Sequence, residues 1–360
     1  MAEIPKTMKA LVAYGPKDMK LETIPTPVPT EDEALLKVEA CGICAGDPKI
    51  YYGIDMAVWG TEDRPGFVRP PFTPGHEFYG HIVQTGKGFD PDFRAGDRIA
   101  VEQVLPCGRC RFCRSGHYWM CIENRLFGFR KDANGGMAEY ALLPAESRLY
   151  RIDEGMPLEK AALIEPFGCS KHAVDNAHIE NEDVVVMSGA GTLGLGMIGA
   201  IKQKNPKTLI ALDMKNDRLE LARKFGADIT INPGDIDAVQ EVRKLTDGYG
   251  CDVYIEATGH PSSVIQGLDM IRNLGKFVEF SVFGMETSVD WTVIGNNKEL
   301  TIYGAHLSPY NFDTVIEWLN NGKLPSDGVV THILKLEDYE EAFRLAKTGD
   351  DHSIKVVLTP

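Results

Sequence analysis

The sequence predicts an α/β fold in two parts, a doubly wound parallel sheet and a β-rich, barrel-like domain. The unbroken β-branched run Val184–Val186 suits a strand buried on both faces of a parallel sheet. From roughly Leu158 onward, strand and helix signals alternate, as in a doubly wound domain. Before that point the strand-like runs are short and divided by Pro and Gly, which is typical of a compact β domain.

The individual elements follow the same division. Early strand-like runs occur at Met8–Ala13, Ala34–Ala40, Gly80–Thr85 and Asp97–Ala100. Six later runs match the strand number of a doubly wound domain: Val184–Val186, Leu209–Leu212, Ile229–Ile231, Asp252–Ala257, Lys276–Val282 and Leu300–Gly304. The tail has helices near Asp313–Leu319 and Tyr339–Ala346 and a final strand, Ile354–Leu358, expected to pack back on the first domain. The predicted boundaries are therefore 1–160 with 308–360 for the β-rich domain and 161–307 for the α/β domain.

Composition excludes several classes of function. The chain has 360 residues, 43% of them hydrophobic, and a formal net charge of −14. This charge argues against binding to nucleic acid or to an anionic membrane. The first residues lack the apolar core of a signal peptide, and no apolar run is long enough to span a bilayer. Eight cysteines in such a chain indicate metal ligands or free thiols, and we expect a cytoplasmic location.

A glycine-rich turn connects the strand at Val184 to a helix. The turn is Gly189-Ala190-Gly191-Thr192-Leu193-Gly194, and Asp213 stands 19 positions after its last glycine, at the end of the next strand-like run. This is the setting of a dinucleotide fingerprint, in which glycines let the backbone approach a pyrophosphate at a helix N-terminus. Because Asp213 would accept hydrogen bonds from ribose hydroxyls and repel a 2′-phosphate, the sequence favours NAD over NADP.

Four cysteines lie close together in a loop bounded by Pro and Gly, in a lobe at about 105–123: Cys107, Cys110, Cys113 and Cys121. Four thiolates at this spacing match a closed, tetrahedral structural zinc site. Unligated, they would be surface thiols prone to oxidation. We therefore predict a structural zinc ion here.

A second, dispersed set of ligand types consists of Cys44, His76, Glu77 and Glu165. Each residue alone is unremarkable and could be structural. Together they supply thiolate, imidazole and carboxylate, which is the mixture suited to a catalytic zinc ion with a position left free for substrate.

These motifs together resemble the zinc-dependent medium-chain dehydrogenase/reductase family over essentially the whole chain. The matching segments are GICAGD with Cys44, GHE with His76 and Glu77, GDR at Gly96–Arg98, the four-cysteine lobe, LIEP with Glu165, and GAGTLG before Asp213. Glu165, where classical alcohol dehydrogenases place a cysteine, makes the chain more similar to the sorbitol, butanediol and threonine dehydrogenase branch. Within it, TPGHEFYGHIV, DVYIEATGH and KELTIYGAHLSPY resemble bacterial erythritol/L-threitol dehydrogenases.

The resemblance implies a GroES-like catalytic domain into which a Rossmann cofactor domain is inserted. It implies a catalytic zinc on Cys44, His76 and Glu77, with Glu165 as an alternating ligand or a substrate-side group. For NAD it implies Leu193 at the pyrophosphate and Arg218 at the adenine. The nicotinamide would be bordered by Phe280, Val282, Ala305 and His306. The family commonly forms dimers or tetramers through the last strand of the cofactor sheet, here about Leu300–Gly304.

The expected reaction is the oxidation of a secondary alcohol of a small polyol, with a four-carbon polyol as the best candidate. Zinc lowers the pKa of bound oxygen, so that an alkoxide can form and give hydride to NAD. The family's usual proton relay is missing, because its positions hold Gly46 and Lys49. Water with Glu165, Tyr51 or Lys49 could move the proton. Alternatively, Lys49 only pairs with cofactor phosphates or solvent.

Other features and functions remain open. The segment 51–74, longer than is usual in the family, is either a lid over the pocket or a surface or subunit-contact insertion. His306 and Tyr310 could touch the nicotinamide or belong to an interface or core, and Cys41, Cys169 and Cys251 are expected to be buried. The alternative functions are a threonine or butanediol dehydrogenase and a non-catalytic NAD-binding sensor on the same fold.

Overall fold

The computed structural model describes residues 3–54, 56–60 and 66–360. They form two compact units, Met1–Glu165 with Val329–Pro360, and Pro166–Gly328. The units divide after Glu165 and Gly328 rather than after residues 160 and 307, in part because the helix Phe312–Asn321 packs within the second unit. At the start of that helix, the Asn311 amide donates to the Gly168 carbonyl at 3.5 Å. None of the helices in the described ranges is long and apolar enough to cross a membrane.

The first unit is built on a seven-stranded sheet. Its main path runs Val330–Lys335, Lys355–Thr359, Ala34–Gly42, Glu77–Thr85, Arg98–Val101 and Leu149–Arg151, with Tyr140–Leu143 also paired to Ala34–Gly42. The shorter ladders are Thr7–Gly15 with Asp18–Pro25 and Val104–Leu105 with Arg125–Leu126. Its helices are Gly46–Tyr52, Met56–Trp59, Arg111–Arg114, Leu158–Ala161 and Tyr339–Thr348, with 3₁₀ turns at Tyr118–Met120 and Leu336–Asp338.

The last strand of the chain lies inside this sheet, as the sequence predicted. Lys355–Thr359 pairs antiparallel with Ala34–Gly42, placing Val357 opposite Gly42. It also pairs in parallel with Val330–Lys335, a strand that the sequence analysis missed although its exposure alternates residue by residue. Leu36, Ile82 and Leu358 contribute to one buried apolar core beneath these strands.

The second unit contains a six-stranded parallel sheet. Its order is Ile229–Ile231, Thr208–Leu212, Val184–Ser188, Cys251–Glu256, Ile271–Glu279 and Thr301–Gly304. This order, 3-2-1-4-5-6, is that of a doubly wound dinucleotide-binding sheet and confirms the predicted fold class. Its helices are Thr192–Lys202, Asn216–Phe225, Ala238–Leu245, Pro261–Met270 and Phe312–Asn321, with a 3₁₀ turn at Trp291–Val293. The helix Ile164–Asn176 contains the division between the units.

The strand predicted at Lys276–Val282 is shifted toward the N-terminus and ends at Glu279. Phe280 donates its backbone N–H to the Glu256 carbonyl at 3.3 Å, but the chain then leaves the sheet. Phe280 and Val282 therefore follow the carboxyl end of a parallel strand, which is where ligands bind in sheets of this kind.

Candidate active site and metal centres

The four predicted cysteines of the lobe converge. One sulfur atom from each of Cys107, Cys110, Cys113 and Cys121 lies within 4.8 Å of the other three. Backbone N–H groups point at the sulfurs: Cys110 N donates to Cys107 Sγ, and Cys113 N donates to Cys110 Sγ, both at 3.4 Å. The Cys113 N–H, followed by the backbone N–H of Ile122, lowers the pKa of the Cys110 thiol to about 6. Four converging sulfurs with backbone N–H donors fit a closed structural zinc site.

Cys44, His76 and Glu77 also come together, each offering one ligand atom within 4.8 Å of the others. The sheet register explains this. Gly42, at the end of one strand, lies opposite Glu77, at the start of its antiparallel neighbour. Cys44 follows the first strand by two residues and His76 precedes the second by one, so both side chains lie at the same end of the ladder.

The surroundings of His76 fit a bound cation. Its Nδ1 is buried without a hydrogen-bond partner and lies 4.0 Å from Asp47 Oδ1, which is also buried and unpartnered. Burial opposes an imidazolium here, but the Cys44 thiolate, with Asp47 and Glu165, outweighs it and raises the pKa of His76 to about 10. The group therefore has an excess of negative charge, which a dication would neutralise.

Asp47 holds the backbone of the loop that carries Cys44. Its Oδ2 accepts the Cys44 N–H at 2.9 Å, and burial raises its pKa to about 6. The Gly46 N–H points at Cys44 Sγ at 3.5 Å. Thus the short helix Gly46–Tyr52 begins with groups that orient the predicted thiolate ligand.

Glu77 has a buried counterion, Lys355, from the last strand of the chain. The Lys355 ammonium donates to Glu77 Oε2 and, at 2.9 Å, to the Ile43 carbonyl. A side chain at Gly42 would occupy this space, because a Cβ there would lie 2.4 Å from Glu77 Oε2 and 2.8 Å from Lys355 Cε. A side chain at Gly42 would therefore displace one or both partners of the ion pair.

Glu165 lies near this group but not within it. It is close enough to raise the pKa of both His76 and Lys355, yet it does not join the set of ligand atoms within 4.8 Å of one another. Its Oε1 instead accepts a hydrogen bond from Gln103 Nε2 at 2.5 Å, and both residues are buried.

The two remaining catalytic candidates have different surroundings. Tyr51 donates its hydroxyl to Glu340 at 3.3 Å and packs its ring against Phe343, on the helix Tyr339–Thr348. Burial and Glu340 raise the pKa of Tyr51 to about 12, so its hydroxyl keeps its proton at neutral pH. Lys49 is half-buried in the same short helix as Tyr51.

In the second unit the glycine-rich turn lies at the carboxyl end of the first sheet strand. Gly189 has φ +100°, a conformation that side chains rarely adopt, and a Cβ at Gly194 would lie 1.8 Å from the Gly189 carbonyl oxygen. The helix Thr192–Lys202, which includes Leu193, begins directly after Gly191. The turn thus leaves a helix N-terminus accessible to an anion such as a pyrophosphate.

Asp213 and Arg218 flank this turn. Asp213 Oδ2 accepts the Ala190 N–H at 2.8 Å, and Oδ1 accepts the Lys215 N–H at 2.9 Å. The Arg218 guanidinium lies 3.8 Å from the position that a Cβ on Gly191 would take. Both side chains are therefore beside the predicted dinucleotide site.

The predicted nicotinamide border lies after the next strands of the same sheet. Ala305 follows the strand Thr301–Gly304 and donates its N–H to the Glu279 carbonyl at 3.1 Å. Val282, His306 and Tyr310 are exposed, whereas the predicted buried thiols Cys41, Cys169 and Cys251 are buried. Of the segment 51–74, residues 55 and 61–65 lie outside the described part, so its role as lid or contact remains a prediction.

Three polar residues of the first site were not predicted from the sequence: Asp47, Gln103 and Lys355. Asp47 had a local signal, because it lies three positions after Cys44 in the GICAGD segment. Gln103 and Lys355 had none, since they contact residues 62 and 278 positions away.

Comparison with protein families gives two matches. The model "Alcohol dehydrogenase GroES-like domain" matches residues 30–154, and "Zinc-binding dehydrogenase" matches residues 192–321. The chain is 44% identical to the erythritol/L-threitol dehydrogenase of Mycolicibacterium smegmatis, over 99% of both chains. It is 35% identical to the L-threonine 3-dehydrogenase of Pyrococcus abyssi, over 98% of this chain and 97% of that protein.

Solved structures agree with the fold. An alcohol dehydrogenase of Escherichia coli CFT073, crystallised with NADH, is 29% identical with a TM-score of 0.86 and matches 99% of this chain and 100% of that one. The 2R,3R-butanediol dehydrogenase of Bacillus subtilis is 27% identical with a TM-score of 0.83, over 98% and 99% of the two chains.

Proposed function

The chain belongs to the zinc-binding dehydrogenases of the medium-chain dehydrogenase/reductase family, and on that premise we propose that it oxidises a small polyol. The reaction converts a secondary hydroxyl to a ketone, with NAD as hydride acceptor, and a four-carbon polyol such as erythritol or threitol is the preferred substrate. The observation that carries this proposal is the Cys44, His76 and Glu77 group with a second carboxylate, Glu165, beside it. The similarity to an erythritol/L-threitol dehydrogenase over nearly the full length supports it.

Cys44, His76 and Glu77 would hold the catalytic zinc, and the four lobe cysteines would hold a structural one. When bound, the catalytic ion supplies a Lewis acid that lowers the pKa of a substrate hydroxyl. Asp47 holds the Cys44 backbone and places a second carboxylate oxygen 4.0 Å from His76 Nδ1, and Lys355 pairs with the Glu77 carboxylate. Such supporting contacts determine how firmly a ligand is oriented.

Glu165 favours the binding of diols over that of simple alcohols. It is not among the clustered ligand atoms, so its carboxylate can accept a hydrogen bond from the hydroxyl next to the one being oxidised. The substrate proton leaves through water and Glu165, with Lys49 either assisting or pairing with the cofactor phosphates. The hydroxyl of Tyr51, bonded to Glu340, is less suited to this path.

The second unit would bind NAD. Gly189, Gly191 and Gly194 form the turn for the pyrophosphate, and Asp213 accepts the ribose hydroxyls in the position that would repel a 2′-phosphate. Leu193, Arg218, Phe280, Val282, Ala305 and His306 complete the proposed cofactor contacts.

We also propose that the protein is a homo-oligomer, a dimer or tetramer, paired through the edge strand Thr301–Gly304. An apolar groove beside this strand is lined by residues including Phe277, Met285, Trp291 and Ile302. Trp291 and Met285 in this groove are 74% and 61% exposed, so the groove is part of a contiguous exposed apolar surface of the kind that marks interaction sites. A cytoplasmic location remains a prediction.

The test is absorbance at 340 nm with NAD and a panel of three- to six-carbon polyols, together with L-threonine and 2,3-butanediol. We expect the highest kcat/KM for a four-carbon polyol. Cys44→Ser should abolish turnover while NAD binding persists. Preference for L-threonine would make the chain a threonine dehydrogenase, although the sequence by itself indicates no pair of partners for the ammonium and carboxylate of an amino acid. An absence of all turnover by the fully metallated protein would favour a binding-only protein.

A further inference from the structure

We propose that Gln103 is a positioning residue that keeps Glu165 out of the metal-ligand set and presents it to the neighbouring hydroxyl of a vicinal diol. The inference rests on the proposed function, since it specifies how that site distinguishes a diol from a simple alcohol. Gln103 is fully buried, and its Nε2 donates to Glu165 Oε1 at 2.5 Å.

The backbone that carries Gln103 is fixed on several sides. The Gln103 carbonyl accepts the Phe127 N–H, and the preceding residue, Glu102, donates its N–H to the Arg148 carbonyl, both at 2.9 Å. The Glu102 side chain accepts hydrogen bonds from the Tyr150 hydroxyl at 2.8 Å and from Arg148 Nε at 3.1 Å. The backbone that carries the Gln103 amide is therefore anchored to two neighbouring segments.

A carboxylate near a zinc ion can either ligate the metal or accept hydrogen bonds. Glu165 is near enough to Cys44, His76 and Glu77 to raise the pKa of His76, yet its oxygens are not part of their cluster. The Gln103 amide favours this second arrangement. Its NH₂ group donates a hydrogen bond to the Glu165 carboxylate, but the amide carries no charge that would neutralise that carboxylate. A carboxylate accepts several hydrogen bonds on its two oxygens, so a substrate hydroxyl can be accepted as well.

The consequence concerns the open position of the metal. A catalytic zinc has three protein ligands and keeps a fourth position for substrate. If Glu165 moved onto the ion, it would compete for that position and would no longer accept the second hydroxyl. Gln103 therefore contributes both to an open site and to the preference for diols.

The experiment compares Gln103→Met, which removes the amide and keeps the side-chain length, with wild type, Glu165→Gln and the double variant. Substrates are 2,3-butanediol and 2-butanol, which have the same carbon chain but two hydroxyls against one. The rate of zinc release to a chromogenic chelator is measured in parallel. The kinetic phase of release that is absent from the Cys44→Ser variant is assigned to the catalytic ion. Gln240→Met, on an exposed helix position, is the matched control.

We expect Gln103→Met to lower kcat/KM for the diol by about 10- to 100-fold, the loss typical of a hydrogen bond to a charged group. The loss for 2-butanol should be smaller, and catalytic zinc should be released more slowly, since the freed carboxylate becomes a ligand. A merely damaged site would release zinc faster. In the Glu165→Gln background both effects of Gln103→Met should disappear.

Three results would overturn the proposal. They are zinc release from Gln103→Met that is unchanged or faster, an unchanged ratio of kcat/KM for 2,3-butanediol to that for 2-butanol, and additive effects of the two substitutions in the double variant. The zinc-release measurement needs no turnover. If the wild type oxidises no polyol, the proposed function fails, while slower zinc release in Gln103→Met still supports the positioning of Glu165 by Gln103.

Discussion

The Lys355 ammonium pairs with the Glu77 carboxylate in the protein interior, where both side chains are only 3% exposed. Removing one partner of a buried pair leaves an uncompensated charge, at a cost of about 3–5 kcal/mol. Lys355→Met should therefore destabilise the zinc-free protein by roughly this amount in urea unfolding. Zinc should restore part of the loss, because the dication compensates Glu77.

Lys37→Met, at an exposed position on the same sheet, is the control and should change stability little. A Lys355→Met variant as stable as this control would show that Glu77 does not depend on its buried partner.

The cysteine lobe should lose its metal when one ligand is replaced. Cys121→Ser is expected to lower the zinc content by about one ion per chain and to lower the melting temperature, since a structural zinc contributes directly to folding. Zinc is measured by atomic emission and unfolding by calorimetry. Cys251→Ser, a buried thiol outside both metal groups, should keep its zinc. Equal zinc content in the two variants would contradict the assignment of this lobe.

Cofactor choice should depend on Asp213. Replacing it by Ser removes the acceptor for the ribose hydroxyls and the charge that disfavours a 2′-phosphate. Loss of charged hydrogen bonds predicts that KM for NAD rises by about 10- to 100-fold, while turnover with NADP improves. Glu220→Ser, an exposed change on the following helix, serves as the comparison. Unaltered NAD kinetics in Asp213→Ser would remove this residue from the ribose site.

The edge groove should hold a second copy of the chain. Ile302→Glu introduces a charge beside Trp291 at the proposed contact and should convert the oligomer to a smaller species in sedimentation velocity. Tyr249→Glu, at a position 77% exposed and outside the groove lining, should leave the mass unchanged. A wild-type chain that sediments as a monomer would refute the oligomer itself.

Glu279, which lines this groove, should make stability depend on pH. Burial and then the neighbouring Glu256 raise the pKa of Glu279 above its ordinary value of 4.5. The folded state therefore binds more protons than the unfolded state just above pH 4.5, and this contribution to stability is lost as pH rises through the raised pKa. Glu279→Gln should thus melt above wild type at neutral pH, with the difference closing toward pH 4.5.

Melting temperatures measured across this pH range test the idea, with the exposed Glu286→Gln as reference. A constant difference between Glu279→Gln and wild type would mean that the Glu279 carboxyl does not titrate as described.

Local sequence patterns predicted the parts of the molecule that are determined by interactions between residues close together in the chain. Four cysteines within 15 residues can meet inside a single loop, and the run Val184–Val186 before a glycine-rich turn allows few alternatives to a buried parallel strand. The Cys44, His76 and Glu77 group was predicted from ligand chemistry and resemblance, and the register of two antiparallel strands brings these residues together.

Contacts between distant parts of the chain were not predictable in the same way. Gln103 and Lys355 have no periodic or motif signal, because their partners are set by how separate strands align in three dimensions. The strand Val330–Lys335 was missed although its burial alternates, since Ile333 lies on the exposed face and His332 on the other, which obscures the alternation of apolar and polar residues in the sequence.

The pairing of Lys355–Thr359 with Ala34–Gly42 affects the order in which the first unit can fold during synthesis. During synthesis, Glu77 emerges from the ribosome well before its counterion, and the whole second unit is made in between. Contacts that close such long loops form slowly. Until Lys355–Thr359 has been synthesised, the strand Ala34–Gly42 therefore lacks this pairing partner and the Glu77 carboxylate lacks its counterion.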